Sequence, residues 1–195
     1  FMSFGNMPIA NGFLNKNDFE KEFFFNLEVG FSEKCSLFQL NEHPTPDQMF
    51  NVNYPFFTGS SEVMKIHFKK YSDFIKKNYI KNNSNIIEIG SNDGTFLSNF
   101  KNSNLDYLGF EPSKNVADLA NQKGIKTING FFNTKNLDLV KNFVGNTDAI
   151  FAANVICHIP DLNDLIKTID RLLSKDGVFI FEEPYLGSMF EKISY

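Results

Sequence analysis

The sequence holds a single arginine, Arg171, and basic residues are the minority: 19 Lys and Arg against 23 Asp and Glu leave a net charge of −4. No basic stripe is present to neutralise a phosphate backbone, which argues against nucleic acid as a partner. Only two cysteines occur, Cys35 and Cys157, far apart in the chain. Two distant thiols make no disulfide framework, so a reducing, cytoplasmic setting is the expectation. No apolar run reaches the roughly 18 residues of a membrane span, and no signal peptide is visible, so no membrane partner is expected. Also missing is the Gly-x-Gly-x-x-Gly run of dinucleotide binders.

With 195 residues, 42% of them hydrophobic, the chain can bury one substantial core with room for a small appendage. Residues 1–59 are aromatic and irregular, punctuated by Pro8, Pro44, Pro46 and Pro55. Short strands are expected at 23–29 and 36–40, with Phe23-Phe24-Phe25 packed inside. A helix over 61–80 starts from a cap at Ser60 or Ser61 and presents Val63, Met64, Phe68, Tyr71, Phe74 and Ile75. From 85 onward, strands at 85–89, 107–110, 125–128, 148–155 and 178–181 alternate with helices at 95–101, 113–121, 133–143 and from Asp161. Gly124 stops the helix that Ser113 caps, and Asp176-Gly177 ends the helix carrying Leu162, Leu165, Ile166, Ile169, Leu172 and Leu173. Such alternation predicts an α/β fold with a doubly wound parallel sheet, whose strand C-termini share one ligand-binding edge. Two regions are expected, 1–59 and 60–195.

The turn after the first strand of that sheet, Ile89-Gly90-Ser91-Asn92-Asp93-Gly94, carries the chemistry. Gly90 and Gly94 allow close backbone approach. Asn92 stands where a dinucleotide binder has its next glycine, and Asp93 follows. A carboxylate there repels a pyrophosphate, by about 1 kcal/mol at 4 Å even in water-like surroundings. The same charge suits S-adenosylmethionine, which bears an ammonium and a sulfonium, and Glu88 adds to the negative field. Glu111 ends the next strand 21 positions on from Gly90 (111 − 90). An acid about 20 residues on accepts hydrogen bonds from ribose hydroxyls, although Glu111 could instead only cap the helix at Ser113.

These residues resemble a family. Ile87-Glu88-Ile89-Gly90-Ser91-Asn92-Asp93-Gly94 looks like the signature of S-adenosylmethionine-dependent sugar C-methyltransferases. Further matches are Gly5-Asn6-Met7-Pro8-Ile9-Ala10-Asn11, Gly109-Phe110-Glu111-Pro112-Ser113, Asn154-Val155-Ile156-Cys157-His158-Ile159-Pro160-Asp161-Leu162 and Glu182-Glu183-Pro184-Tyr185-Leu186. The resemblance implies a Rossmann-like methyltransferase acting on a nucleotide-linked sugar. It also implies a four-cysteine zinc module at the start, but Ser32 stands where the partner of Cys35 would be. One cysteine holds no tetrahedral zinc, so no metal is expected. Relatives continue beyond the fifth strand, and the first residue is Phe1, so the chain is expected to be a fragment.

Methylating carbon requires a nucleophilic carbon. A base removes a proton beside a ketone, and a donor stabilises the enolate. His158, after the fourth strand, is the candidate base or donor, and the resemblance places it in the active site; packing at a helix start is the alternative. The resemblance also brings the Tyr54 hydroxyl near the sugar, where an ordinary packed tyrosine is the alternative. Phe132 and Asn133 are in reach of adenine, or else belong to core and helix cap. Asn154 can meet the cofactor's amino acid end or the substrate. Glu182 can contact substrate or be a solvated strand end. His43 and His67 are expected to be structural.

Overall fold

The computed structural model describes residues 2–10 and 12–193, so Asn11 of the first matching stretch lies outside the described residues. The chain forms two compact units, Phe1–Pro55 and Phe56–Tyr195. In the first, β1 (Met2–Pro8), β2 (Phe24–Ser32) and β3 (Leu37–Leu40) make an antiparallel sheet in that order, followed by the one-turn helix α1 (Pro46–Met49). β1 was not anticipated. Of the phenylalanine triplet, only Phe25 is buried; Phe24 is exposed on the other face of β2, as alternation along a strand requires, and Phe23, before the strand begins, is exposed as well.

Residues 56–59 belong to the second unit rather than the first. Thr58 N–H donates to Asn92 Oδ1 at 2.8 Å, Gly59 N–H to Asp93 Oδ2 at 3.1 Å, and Asn92 Nδ2 to the Phe56 carbonyl at 3.2 Å. These bonds span more than thirty residues, so no local pattern marks them.

The second unit is a parallel sheet of β4 (Asn85–Ile89), β5 (Asp106–Glu111), β6 (Thr127–Asn129), β7 (Thr147–Ala153) and β8 (Leu173–Glu182), in the order β6-β5-β4-β7-β8. The order reverses at β4, so the crevice above Gly90 is the topological switch point. β4 reads as a buried apolar strand because helices cover both faces. Ile86 joins Phe68 and Ile75 of α2 (Glu62–Asn78), with Phe96, Leu97 and Phe100, on one side. Ile87 and Ile89 join Leu165, Ile169 and Leu172 of α4 (Leu162–Leu172) on the other. α3 (Lys114–Gln122) follows β5 and ends at Gly124, and α5 (Leu186–Lys192) closes the described chain.

Several expectations need correction. The helix over 95–101 is only a 3-10 turn, Leu97–Phe100. Its polar side chains compete for the carbonyls that a helix would use: Asn99 takes those of Thr95 and Phe96, Ser98 that of Thr95, and Ser103 that of Phe100. The segment after Asn133 is likewise 3-10, broken at Val140. α4 stops at Leu172, and Asp176-Gly177 lies inside β8. Its buried stripe is Leu165, Thr168, Ile169 and Leu172, with Leu162 and Ile166 exposed. On α2, Val63 and Phe74 are exposed, while Ser61 caps the helix by accepting from Met64 N–H. Ser113 sits at the cap position of α3 without a side-chain cap bond.

Candidate active site

Each strand of the parallel sheet ends at the same edge, and register brings the candidate residues there. Ile89 pairs with Phe110 and Ala152, and Ala153 pairs with Glu182. Glu88 and Glu111 therefore stand at neighbouring strand ends, with Gly90 between them. Gly90 has φ +64°, and a Cβ built there would meet Val155 Cγ2 at 2.5 Å.

Glu88 is buried, and its Oε2 has no hydrogen-bond partner. Burial drives its pKa well above the usual carboxylate range, and the charges of Glu111 and Asp93 push the same way, against one backbone bond from Leu97. An unpartnered carboxyl oxygen beside the switch point is the feature that fits a cationic ligand. Glu111 is also buried. Its Oε2 accepts from Asn92 N–H at 3.0 Å and its Oε1 from Ser113 N–H at 2.7 Å. Burial raises its pKa, and those bonds only partly offset the shift. Glu111 thus caps the start of α3 and fixes the Gly90 turn at once. A carboxylate has about four lone-pair sites, so two amide bonds leave capacity for ribose hydroxyls.

Asp93 does not have the role expected of it. Its side chain is 2% exposed and is held by Lys123 Nζ at 2.9 Å, Thr95 Oγ1 at 2.6 Å and Gly59 N–H at 3.1 Å. Burial alone would raise its pKa, but these partners outweigh burial and lower it. The carboxylate is turned into the protein and neutralised by Lys123, so the acidic groups left at the edge are Glu111 and Glu88, the latter held toward its protonated form by burial. Asn92 is likewise spent on Phe56 and Thr58, and it adopts the left-handed φ of +49° that asparagine tolerates. A Cβ on Gly94 would meet Ile125 at 2.9 Å, so packing rather than a ligand explains that glycine. A cavity of about 490 Å³ is lined by Gly59, Asp93, Thr95 and Lys123. It does not include Glu111, Asn154 or His158, and it is distinct from the strand-end site.

Phe132 is buried edge-on against Phe110, with ring centroids 5.2 Å apart, and Asn133 accepts from Asn136 N–H as a cap. The core and cap alternatives account for both. Asn154 is exposed at φ +56° immediately after β7, and its N–H donates to the Glu182 carbonyl at 2.8 Å. His158 is exposed at the end of the 3-10 turn Ile156–His158. Tyr54 belongs to the first unit, where its ring lies 5.6 Å from that of Phe50.

A family model described as a methyltransferase domain matches residues 64–195, more than half of the chain. The chain belongs to the methyltransferase-domain family. The methyl donor of this family is S-adenosylmethionine, whose ammonium would fit the open oxygen of Glu88 and whose ribose hydroxyls would fit the spare acceptor capacity of Glu111. C-methyltransferase NovU of Streptomyces niveus is 28% identical over 192 residues, covering 97% of this chain and 46% of that protein. Carboxy-S-adenosyl-L-methionine synthase of Nautilia profundicola is 30% identical over 172 residues, covering 84% of this chain and 62% of that protein. The chain thus spans about half the length of the first relative. A solved S-adenosylmethionine-dependent methyltransferase of Archaeoglobus fulgidus shares the fold. Its TM-score is 0.54 at 16% identity, over 68% of this chain and 57% of that one.

A second family model, a putative zinc binding domain, matches residues 1–50. The donors described there do not fit a zinc ion. Cys35 is an exposed free thiol, and Ser32 occupies the other end of the hairpin turn. His43 Nδ1 lies 3.0 Å from the Pro44 carbonyl. Among the described residues no three His, Cys, Asp or Glu side chains cluster as metal ligands.

Sequence reasoning missed Glu183. Its Oε1 accepts from Val155 N–H at 2.8 Å and Ile156 N–H at 2.6 Å, tying the His158 turn to β8 across 27 residues. Burial, with Glu183 adding hydrogen bonding and charge, pushes the neighbouring Cys157 thiol up to about 12, so it is no nucleophile near neutral pH. Glu183→Ala is expected to cost about 1–3 kcal/mol by orphaning two amides. It should also speed thiol labelling of Cys157 near pH 8 in a Cys35→Ser background. Unchanged labelling would disconnect Glu183 from this turn.

Proposed function

We propose that the chain carries out C-methylation of a keto-deoxysugar linked to a nucleotide, through an enolate. The observation that carries this reading is the His158 turn, held by Glu183 at the same sheet edge as Glu88 and Glu111. The motif resemblance to sugar C-methyltransferases and the likeness to a protein named C-methyltransferase NovU support the carbon acceptor. When bound, S-adenosylmethionine supplies an electrophilic methyl group on a sulfonium.

The chain's own residues do the rest. Glu111 accepts from the ribose hydroxyls, and Glu88 faces the ammonium. Asn154 closes the amino acid end from β7. His158 takes the proton from the carbon beside the ketone; an imidazole suits this work near neutral pH. The electron pair left behind makes that carbon nucleophilic. Free thiols at Cys35 and Cys157 suit a reducing, cytoplasmic setting.

The test is solvent exchange. With a nucleotide-linked 4-keto-6-deoxyhexose in heavy water, deuterium should enter the carbon beside the ketone. Adding S-adenosylmethionine should give a product methylated at that carbon. His158→Ala should abolish both while leaving S-adenosylmethionine affinity unchanged. A methyl group found on oxygen or nitrogen would replace this reading with that of another small-molecule methyltransferase. Cofactor binding with neither exchange nor transfer would reduce the chain to a binding module.

A further inference from the structure

β8 ends at Glu182, and a second carboxylate, Glu183, follows it directly. Successive strand side chains leave on opposite faces. Glu183 runs to the His158 turn. Glu182 runs to α2, where its Oε1 and Oε2 lie 3.0 and 2.9 Å from His67 Nε2. Carboxylate and imidazole are 115 residues apart in sequence, and their side chains stay 32% and 42% exposed. An exposed polar pair of this kind contributes about 0–1 kcal/mol to stability. Fold stability is therefore a weak reason for it.

A third polar group completes the arrangement. The ring of Tyr71, one helical turn on, stacks against that of His67 with centroids 6.1 Å apart. Burial, then Glu182 and Glu88, push its phenol up to about 12. Tyr71 is therefore a neutral hydroxyl donor at any physiological pH. A carboxylate, an imidazole and a phenol thus line one face near the strand ends.

Position along the edge distinguishes cofactor from acceptor. Glu111 ends β5, and β8 lies three strands away through β4 and β7. At about 4.8 Å per strand, that separation is roughly 14 Å. A cofactor whose ribose is held at Glu111 would occupy the β5 and β4 side of the edge, which would leave the β8 side to the acceptor.

Resting on the function proposed above, we propose that Glu182 and Tyr71 bind hydroxyl groups of a sugar acceptor, and that His67 is the positioning residue that aims Glu182. His67 donates one proton from Nε2, shared between two oxygens, and leaves lone pairs of Glu182 open to hydroxyl donors. A carboxylate next to a phenol suits vicinal hydroxyls, which both donate and accept.

The experiment measures equilibrium binding to the chain saturated with S-adenosylhomocysteine. The probes are a nucleoside diphosphate and the same nucleotide carrying a 4-keto-6-deoxyhexose. In the unaltered protein the sugar should tighten binding. Glu182→Gln and His67→Leu should each remove about tenfold of that gain, the usual scale for a hydrogen bond to a charged group. Tyr71→Phe should remove less, and His67→Gln, which keeps a donor, should restore most of the loss. S-adenosylhomocysteine affinity and melting temperature should stay close to those of the unaltered protein in all four. A sugar gain that survives in His67→Leu and Glu182→Gln would overturn the proposal and leave the proposed function standing. A matching loss of S-adenosylhomocysteine affinity would assign the pair to the cofactor and overturn it as well. No sugar gain in the unaltered protein would overturn both the sugar reading and the site built on it.

Discussion

Glu88→Gln is expected to make the chain more stable and its hold on S-adenosylmethionine weaker. Folding buries Glu88 with one oxygen unpartnered and with Glu111 and Asp93 nearby, so the folded state favours the protonated carboxyl. A model carboxyl ionises near pH 4.3 in the unfolded chain. The folded protein therefore binds one more proton than the unfolded chain as pH rises above that value, and stability falls with pH. Glutamine mimics the neutral form and removes the penalty. The gain is largest near neutral pH and fades toward pH 5, since the excess proton of the folded state makes stability fall as pH rises through that window.

The same carboxyl must lose its proton to meet an ammonium. Wild-type affinity for S-adenosylmethionine should therefore rise with pH, with proton release on binding. The groups around Glu88 are Glu111, Asp93 with its Lys123, and Tyr71. All but Lys123 are acidic or neutral, and Lys123 is already engaged by Asp93. The glutamine variant should bind about 10- to 100-fold more weakly, the range for a lost bond to a charged group, with a flattened pH dependence. Melting curves at pH 5 and pH 8 and calorimetry at the same two values measure both effects. A variant less stable than the parent at pH 8 would contradict the account of Glu88.

Gly90→Ala should damage fold and catalysis together. Its φ of +64° costs a non-glycine residue about 1–2 kcal/mol. The new methyl would also lie 2.5 Å from Val155 Cγ2 and 3.1 Å from Cγ1. Val155 begins the turn that ends at His158, and its N–H is bound by Glu183. Relief of the overlap must move that turn. A total cost of about 2–4 kcal/mol is expected, with a fall of roughly 4–16 °C in melting temperature. Gly145→Ala is the matched control. It has the same φ of +64° with nothing within 4 Å of the added Cβ, so it should show the backbone cost alone. If the two variants melt together, contact with Val155 carries no energy.

The parallel sheet was legible because its strands are short, apolar and β-branched, and because Asp161 and Gly124 mark helix ends through local chemistry. The place of Glu111 at the end of β5 was legible from its spacing after Gly90. The true partners of Asp93 were not, because Lys123 and Gly59 reach it from 30 and 34 residues away. A carboxylate in a glycine-rich turn reads alike whether it faces a ligand or a lysine. Only the fold shows which way it turns. The partner of His67 was hidden for the same reason, since Glu182 lies 115 residues away in sequence. The helix expected after Gly94 failed for a local reason, because serine and asparagine side chains there bind the carbonyls themselves.

Pairing between β7 and β8 shifts between Thr147 and Ala149, so Leu173 to Val178 spans more residues than the strand opposite. Val178 to Glu182 nonetheless keep regular partners in β7, so the directions of the two carboxylates at the strand's end are set by that pairing and not by the length of the segment before it. A residue lost from 174–177 would shorten the bulge and leave both acids facing their present segments. The crevice is thus insulated from changes of length at the opposite end of the strand.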